Sequence, residues 1–222
     1  MANLEPLIQS IPVAPLKLAS LEGCRTLADQ VNNYLVSFRH ESPTNVGQAD
    51  SLQGYCADSY LLECECPRFG SGEGKGVLKE SVRGCDLFIM VDVTNYSLTY
   101  RVNGYENHMS PDNHYQDLKR IISAADGKAR RINVIMPFLY EGRQHKRSKR
   151  ESLDCALMLQ ELVDMGVSNI LTFDAHDPRV SNSIPLHGFD SFMPTYQFLK
   201  ALFREVPDLK ADKEHLMIIS PD

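Results

Sequence analysis

The chain has 222 residues, of which 43% are hydrophobic and 23% charged, a balance that is typical of globular proteins and excludes a disordered chain. No apolar run approaches the ~20 residues of a membrane-spanning helix, and the first residues do not resemble a secretory signal. We therefore expect a cytoplasmic protein that binds no membrane, with its six cysteines as reduced thiols. The net charge of −6 argues against general binding to nucleic acid.

The first eighty residues contain two predicted elements. Residues 16–19 are predicted to form a strand. Arg25–Phe38 is predicted to form a helix, because apolar side chains recur along it at helical spacing. The polar stretch over 40–53 is predicted to be a loop.

Strands and helices alternate from residue 85 onward. Ser110, Pro111 and Asp112 together form a typical helix start: a capping serine, a first-turn proline and an acid that suits the helix dipole. This pattern predicts an α/β domain with a mainly parallel sheet flanked by helices. The predicted strands are 85–93, 131–136, 168–173 and 215–220. One predicted helix starts at 110, and two others span 151–165 and 194–205.

An Asn-Gly pair interrupts this alternation. Asn103 and Gly104 lie between extended-looking residues, which is a strong signal for a β-hairpin. We expect the hairpin to occupy 96–109, inserted between a strand and its following helix. No linker separates two independent domains, so we expect 1–222 to form one α/β domain.

The loop after the strand at 131–136 is strongly basic. Five lysines or arginines fall within residues 143–150 of an otherwise acidic chain. In a parallel sheet, ligands bind outside the carboxyl ends of the strands, and clustered cations there suit a polyanion such as a nucleotide phosphate. A solvated loop with no ligand remains the alternative.

Acidic side chains and one imidazole follow two other predicted strands. Asp174, His176 and Asp177 come directly after 168–173, where they would suit a divalent cation. The alternative is local: Asp177 precedes Pro178 and would then form a turn, while Asp174 would cap the backbone. Asp222 follows the last predicted strand, where a carboxylate would suit a metal ion or ribose hydroxyls.

Three blocks of sequence in this order resemble the N-terminal half of the ribose-phosphate pyrophosphokinases. The resemblance spans residues 68–222 and, more loosely, the first strand and helix. Its blocks are Arg68-Phe69-Gly-Ser71-Gly-Glu73 with Glu80-Ser-Val-Arg-Gly-Cys-Asp86, Pro137-Phe-Leu-Tyr-Glu-Gly-Arg143-Gln144-His145-Lys-Arg147, and Leu171-Thr-Phe-Asp174-Ala-His176 with Ser220-Pro-Asp222.

This resemblance implies a phosphoribosyltransferase-type fold and an enzyme that transfers the diphosphoryl group of ATP to ribose 5-phosphate, with Mg²⁺ as cofactor. By likeness, Arg143 and Gln144 would contact ATP. Phe69 and Glu73 would hold the adenine end in a site shared with a neighbouring subunit, which implies a homo-oligomer. The implied metal residues are His176, Asp174 and Asp222.

The sequence also departs from the family pattern. Ser71 and His145 each replace a common aspartate, and the hairpin near 96–109 is an insertion. The catalytic loop and the ribose-phosphate loop of the family would lie beyond Asp222, so we expect this chain to be the first of two domains and incomplete for catalysis. A non-catalytic regulatory or scaffolding relative is the alternative function, and RNA binding through 143–150 is a third hypothesis.

Overall fold

A computed structural model describes residues 12–41, 54–210 and 212–219, so Asp222 and most of the loop predicted over 40–53 lie outside the described residues. Residues up to Ser191 form one compact unit, and residues from Phe192 onward form a second. No helix within the described ranges is long and apolar enough to cross a membrane.

The structure confirms the predicted fold class. Six strands form a sheet in the order β10-β9-β8-β5-β1-β2, and β2, β1, β5, β8 and β9 run parallel. The strands are β1 (Leu16–Ser20), β2 (Leu61–Leu62), β3 (Cys64–Glu65), β4 (Val77–Leu78), β5 (Asp86–Met90), β6 (Thr99–Val102), β7 (Tyr105–His108), β8 (Arg131–Ile135), β9 (Val167–Phe173) and β10 (Gly188–Phe192). The helices are α1 (Arg25–Glu41), α2 (Pro111–Ala125), α3 (Asp154–Asp164) and α4 (Thr195–Glu205).

Alternation along the central strand β5 places core residues on both faces of the sheet. Leu87 and Ile89 join the larger apolar cluster, which also contains buried residues of α2 and α3. Phe88 and Met90 join a smaller cluster with Ala28 of α1. Because successive side chains of a strand point to opposite faces, the near-continuous apolar run of β5 follows from burial on both sides.

The start of α2 confirms the predicted capping sequence. The Ser110 hydroxyl accepts a hydrogen bond from the Asn113 backbone N–H at 3.2 Å, and the Asn113 side chain accepts one from the Ser110 N–H at 3.2 Å. This reciprocal capping box satisfies two backbone donors that a helix start leaves free. It fixes the residue at which the chain turns from the inserted hairpin into α2.

A polar network joins the amino-terminal ends of the central strands. Arg131 of β8 donates two hydrogen bonds to the carboxylate of Asp86 in β5, at 2.9 and 2.5 Å. The Asn133 side-chain amide donates to Asp86 at 2.7 Å, and the Asn169 side-chain amide of β9 donates to the Asn133 Oδ1 at 2.6 Å. A Cβ at Gly188 of β10 would come within 2.1 Å of the Asn169 Oδ1, so a larger residue there would displace the Asn169 side chain from its place in this network.

The inserted hairpin forms as predicted. β6 and β7 pair antiparallel, and Asn103 and Gly104 both have positive φ, at 50° and 86°. Positive φ at both central residues is typical of a type I′ turn, which matches the twist of the two flanking strands. Asparagine and glycine are the residues that tolerate these angles best.

The strand predicted over 215–220 is wrong. Within the described residues of this stretch, 215–219, the chain forms a turn followed by irregular backbone. The Asp212 carboxylate accepts the backbone N–H groups of Glu214 and His215, which turns the chain, and the apolar residues 217–219 are at least 80% exposed. An apolar run becomes a strand only when a neighbouring strand pairs with it, and none in the described structure does.

The start of one helix and one missed strand also separate the structure from the sequence prediction. The third predicted helix begins at Asp154 rather than 151, because residues 151–153 belong to the loop that follows β8. The sequence reasoning missed β10, whose residues 188–192 alternate only weakly between half-buried and exposed positions.

The polar network predicts a large cost for removing its acceptor. We expect Asp86→Ala to lower the free energy of unfolding by about 2–4 kcal/mol, because Arg131 and Asn133 lose a buried partner. The exposed Lys17–Glu80 pair provides the control, since Glu80→Ala removes a surface ion pair worth less than about 1 kcal/mol. Urea unfolding would measure both, and equal losses in the two variants would contradict this role for Asp86.

Candidate functional site

Two loops meet at the carboxyl edge of the sheet, after β8 and after β9. Their strands are neighbours, with Ile135 opposite Leu171, so both loops leave the sheet at the same edge. The His145 and His176 rings lie 5.1 Å apart between centroids. The structure therefore brings the Arg143–His145 segment of the basic loop close to the segment after β9, as predicted for parallel neighbours.

The basic loop presents unpaired cations. All five of its cationic residues are exposed, and none forms an ion pair with any other residue that the structure describes. Uncompensated guanidinium and ammonium groups on one segment create a field that attracts phosphate oxygens. These five are Arg143, Lys146, Arg147, Lys149 and Arg150.

Gln144 closes the base of the basic loop. Its side-chain amide donates to the Ser152 carbonyl oxygen at 2.6 Å, and its backbone N–H donates to the Glu141 carbonyl oxygen at 2.8 Å. The Cys155 backbone N–H at the start of α3 in turn donates to the Gln144 carbonyl oxygen at 3.4 Å. Gln144 therefore has a structural role in the loop, which the sequence reasoning missed.

Asp177 is a local structural residue, in agreement with the turn alternative. Its carboxylate accepts the backbone N–H of Arg179 at 3.0 Å and also pairs with the Arg179 guanidinium at 2.5 Å. The hydrogen bonds from Arg179 hold the pKa of the Asp177 carboxyl well below its usual range. The His145 Nε2 lies 3.6 Å from Asp177 Oδ2, so Asp177 links the two loops.

Asp174 and His176 remain open to a ligand. Both are exposed, and the Asp174 carboxylate forms no hydrogen bond with the described residues. Asp174 has a φ of 45°, a left-handed conformation that is uncommon for residues other than glycine and is often found at functional sites. The alternative in which Asp174 caps the backbone has no supporting contact in the described structure.

The described residues include no group of three or more histidine, cysteine, aspartate or glutamate side chains arranged to hold a metal ion. Mg²⁺ keeps several waters and is often bound by one or two carboxylates together with substrate phosphates. Asp174 and His176 are compatible with a site of that kind, though not with a cage built from protein ligands alone. Asp222, the remaining predicted metal residue, lies outside the described residues.

Phe69 and Glu73 belong to a separate turn. The Phe69 N–H donates to the Glu73 carbonyl oxygen at 2.7 Å, and the Ser71 hydroxyl donates to the Glu73 carboxylate at 2.8 Å. The Phe69 ring is 53% exposed. Among the described contacts, no hydrogen bond or ion pair connects this turn to the basic loop or to Asp174.

The fold is an α/β domain with a mainly parallel sheet flanked by helices, and two of its loops meet at the carboxyl edge of that sheet. The family described as the N-terminal domain of ribose phosphate pyrophosphokinase matches residues 16–166, and the chain belongs to that family.

Relatives and a solved structure agree with this assignment. Ribose-phosphate pyrophosphokinase of Staphylococcus epidermidis is 28% identical over 166 residues, which cover 73% of this chain and 46% of that protein. The same-named protein of Corynebacterium ammoniagenes is 26% identical over 209 residues, which cover 93% and 52%. The chain thus spans about half the length of these relatives.

The crystal structure of phosphoribosylpyrophosphate synthetase from Mycobacterium smegmatis matches the fold with a TM-score of 0.64. It is 21% identical, and the match covers 87% of this chain and 53% of that one.

The position of Gln144 gives a testable expectation for the basic loop. In Gln144→Ala, the hydrogen bond to Ser152 is lost, and we expect trypsin to cut within 143–150 about fivefold faster. This increase corresponds to a decrease of ~1 kcal/mol in the free energy of opening the loop. Gln160→Ala is the matched control, because its amide bonds the Ser183 carbonyl oxygen outside this loop. Mass spectrometry of the fragments would locate the cuts within 143–150. Equal cleavage rates there in the two variants would show that the Gln144 side chain does not hold the loop in its folded conformation.

Proposed function

We propose that this domain supplies the ATP-binding part of a ribose-phosphate diphosphokinase, which converts ATP and ribose 5-phosphate to phosphoribosyl diphosphate and AMP. The observation that carries the proposal is the meeting of two loops at one sheet edge. One loop carries unpaired cations, and the other carries the free Asp174 carboxylate and the exposed His176. Family membership supports the reaction class.

In this proposal, the basic loop binds the phosphate chain of ATP. The 1-hydroxyl oxygen of ribose 5-phosphate forms a bond to the β-phosphorus of ATP, and the bond from that phosphorus to the oxygen bridging it to the α-phosphate breaks. AMP leaves with the bridging oxygen, and the hydroxyl proton is released. Such transfers depend mainly on positioning and on charge neutralisation, which the guanidinium of Arg143 would provide.

The residues after β9 would contribute to the metal requirement. Asp174 and His176 would hold Mg²⁺ together with phosphate oxygens and water, and Asp222 is proposed as a further ligand on the ribose side. When bound, Mg²⁺ would offset the negative charge of the phosphate chain. Asp177 is not among the proposed metal ligands, because its carboxylate is paired with Arg179.

The turn at residues 69–73 would hold the adenine end. The exposed Phe69 ring offers a stacking face, and Glu73 offers hydrogen-bond acceptors. As the family resemblance implies, the proposal places this turn in a site shared with a neighbouring copy of the chain. This arrangement requires a homo-oligomer.

Two observations favour the alternative of a non-catalytic relative. The Gln144 amide is already bonded to Ser152, and His145 stands where the family has an aspartate. A relative that retains the fold and the loop cations without turnover would show both features. The two functions share nucleotide binding and differ in the reaction.

The first test is the affinity for ATP in the presence of Mg²⁺, measured by isothermal titration calorimetry. We expect Arg143→Ala to weaken binding about tenfold or more, because a charge-assisted contact to phosphate is lost. Arg130→Ala, which removes an exposed arginine away from the loop, should leave the affinity unchanged. Equal affinities of the two variants would remove Arg143 from the site.

The metal assignment predicts a different signature. His176→Ala should raise the Mg²⁺ concentration needed for half-maximal ATP binding, while the affinity at saturating Mg²⁺ should change less. His187→Ala, at another exposed histidine, provides the control. An unchanged Mg²⁺ dependence in His176→Ala would contradict the metal role.

A turnover assay separates the two candidate functions. The protein purified from its own cells should form AMP from ATP only when ribose 5-phosphate is added. AMP formation that depends on ribose 5-phosphate would exclude the non-catalytic alternative. Binding of ATP through Arg143 without such turnover would favour it.

A further inference from the structure

The inserted hairpin lines a cavity of about 440 Å³ that the proposed ATP site does not use. Its walls come from the residues after β1, from β3 and the residues that follow it, from β6 and from α2. Volumes of this size are typical of small-molecule sites. None of the residues that line it belongs to the loops after β8 and β9.

The cavity lies at a position that favours ligand binding in α/β sheets. The chain leaves β1 to form β2 on one side and returns to form β5 on the other, so β1 and β5 are the strands between which the order reverses. The residues after β1 and the hairpin after β5 both line the cavity. Crevices at the carboxyl ends of such strands are the preferred ligand sites of open α/β sheets.

Specific contacts hold the two loops together beside the cavity. The Asn95 amide donates to the Gly23 carbonyl oxygen at 3.0 Å, and His114 Nε2 lies 2.6 Å from the Asn95 carbonyl oxygen. A Cβ at Gly23 would lie 3.1 Å from the Asn95 Cβ, so the loops are closely packed there. Tertiary contacts between the residues after β1, the residues after β5 and α2 therefore hold the cavity wall in place.

One side of the cavity combines an aromatic ring with a buried charge cluster. Asp117 is 4% exposed and pairs with the guanidinium groups of both Arg68 and Arg120, each at 2.6 Å. Arg68 also lies over the Tyr100 ring of the hairpin, 5.3 Å from its centroid. One carboxylate thus faces two guanidinium groups, which leaves positive charge in excess.

Two further arginines line the cavity without a partner. Arg25 and Arg101 are exposed and form no ion pair with any described residue, whereas the lining carboxylate of Glu65 is neutralised by Lys79. Glu22 is the remaining lining carboxylate, and Glu106 lies opposite Arg101 in the β6–β7 pair, where its carboxylate accepts a hydrogen bond from the Thr99 hydroxyl. Because neither carboxylate forms an ion pair with Arg25 or Arg101 in the described structure, both guanidinium groups are available to an anion.

We propose that this cavity binds a small oxyanion that carries a planar apolar group. Arg25 and Arg101 would bind the oxyanion, and the Tyr100 ring, with Leu98 and Met109, would contact the planar group. Because Arg68 touches Tyr100 and begins the turn at residues 69–73, an occupant would also contact the base of that turn. In this proposal, the inserted hairpin contributes to a ligand-binding site.

Phenyl phosphate is the probe for this site, because it has both chemical features and is smaller than a nucleotide. Titration calorimetry at low ionic strength should show saturable binding of one equivalent, and phenol should not bind at the same concentrations. Arg25→Ala and Arg101→Ala should each weaken the binding of phenyl phosphate about tenfold. Arg130→Ala, at an exposed arginine outside the cavity, should leave it unchanged.

Several results would overturn the proposal. These are the absence of saturable binding, equal affinities in Arg101→Ala and Arg130→Ala, and loss of binding in Arg143→Ala with retention in Arg25→Ala and Arg101→Ala. The last result would place the anion in the proposed ATP site instead. Circular dichroism would verify the fold of each variant, and Arg101→Gln, which keeps the side chain as far as Cδ and removes the charge, would replace a variant that fails to fold.

Discussion

The polar network at the amino-terminal end of the sheet is the interaction on which the site geometry depends. Asp86, Arg131, Asn133 and Asn169 join β5, β8 and β9, and Gly188 gives β10 room beside them. Buried polar groups need specific partners, so this network disfavours any slip of one strand against the next. With the register fixed at one edge, the loops after β8 and β9 meet at the other.

The charged groups near the candidate site divide into two classes. Asp177 is committed to Arg179 and holds the chain in the turn that follows β9. The cations of the basic loop, by contrast, form no ion pair with the described residues, and the Asp174 carboxylate forms no hydrogen bond or ion pair with them either. Paired groups such as Asp177 build the frame, whereas unpaired groups on both loops are available to a ligand. The same distinction separates Asp117 from Arg101 in the cavity under the hairpin.

Much of the fold could be predicted from local sequence signals. The apolar run of β5, the serine cap of α2 and the Asn103-Gly104 turn each depend on neighbouring residues, and the structure confirms all three. The prediction of a strand over 215–220 was wrong because an apolar run does not by itself show whether a neighbouring strand will pair with it. β10 was missed for the opposite reason, since its formation depends on Asn169 and β9 rather than on its own pattern.

The candidate site was only partly predictable for the same reason. Parallel order predicts that the loops after β8 and β9 lie at one edge, and this is where the structure places them. The pairing of Asp177 with Arg179 is local, and Pro178 signalled the turn. The contact of His145 with Asp177 and the bond of Gln144 to Ser152 depend on how the loop folds back, which residue types alone do not specify.

The central claim is that the loops after β8 and β9 form one nucleotide site. Its most direct test is a backbone amide NMR titration of this chain with ATP and Mg²⁺. The account predicts that shifts concentrate on residues 143–147 and 174–177 together and saturate with one common affinity. Shifts confined to one loop, or centred elsewhere in the chain, would contradict it.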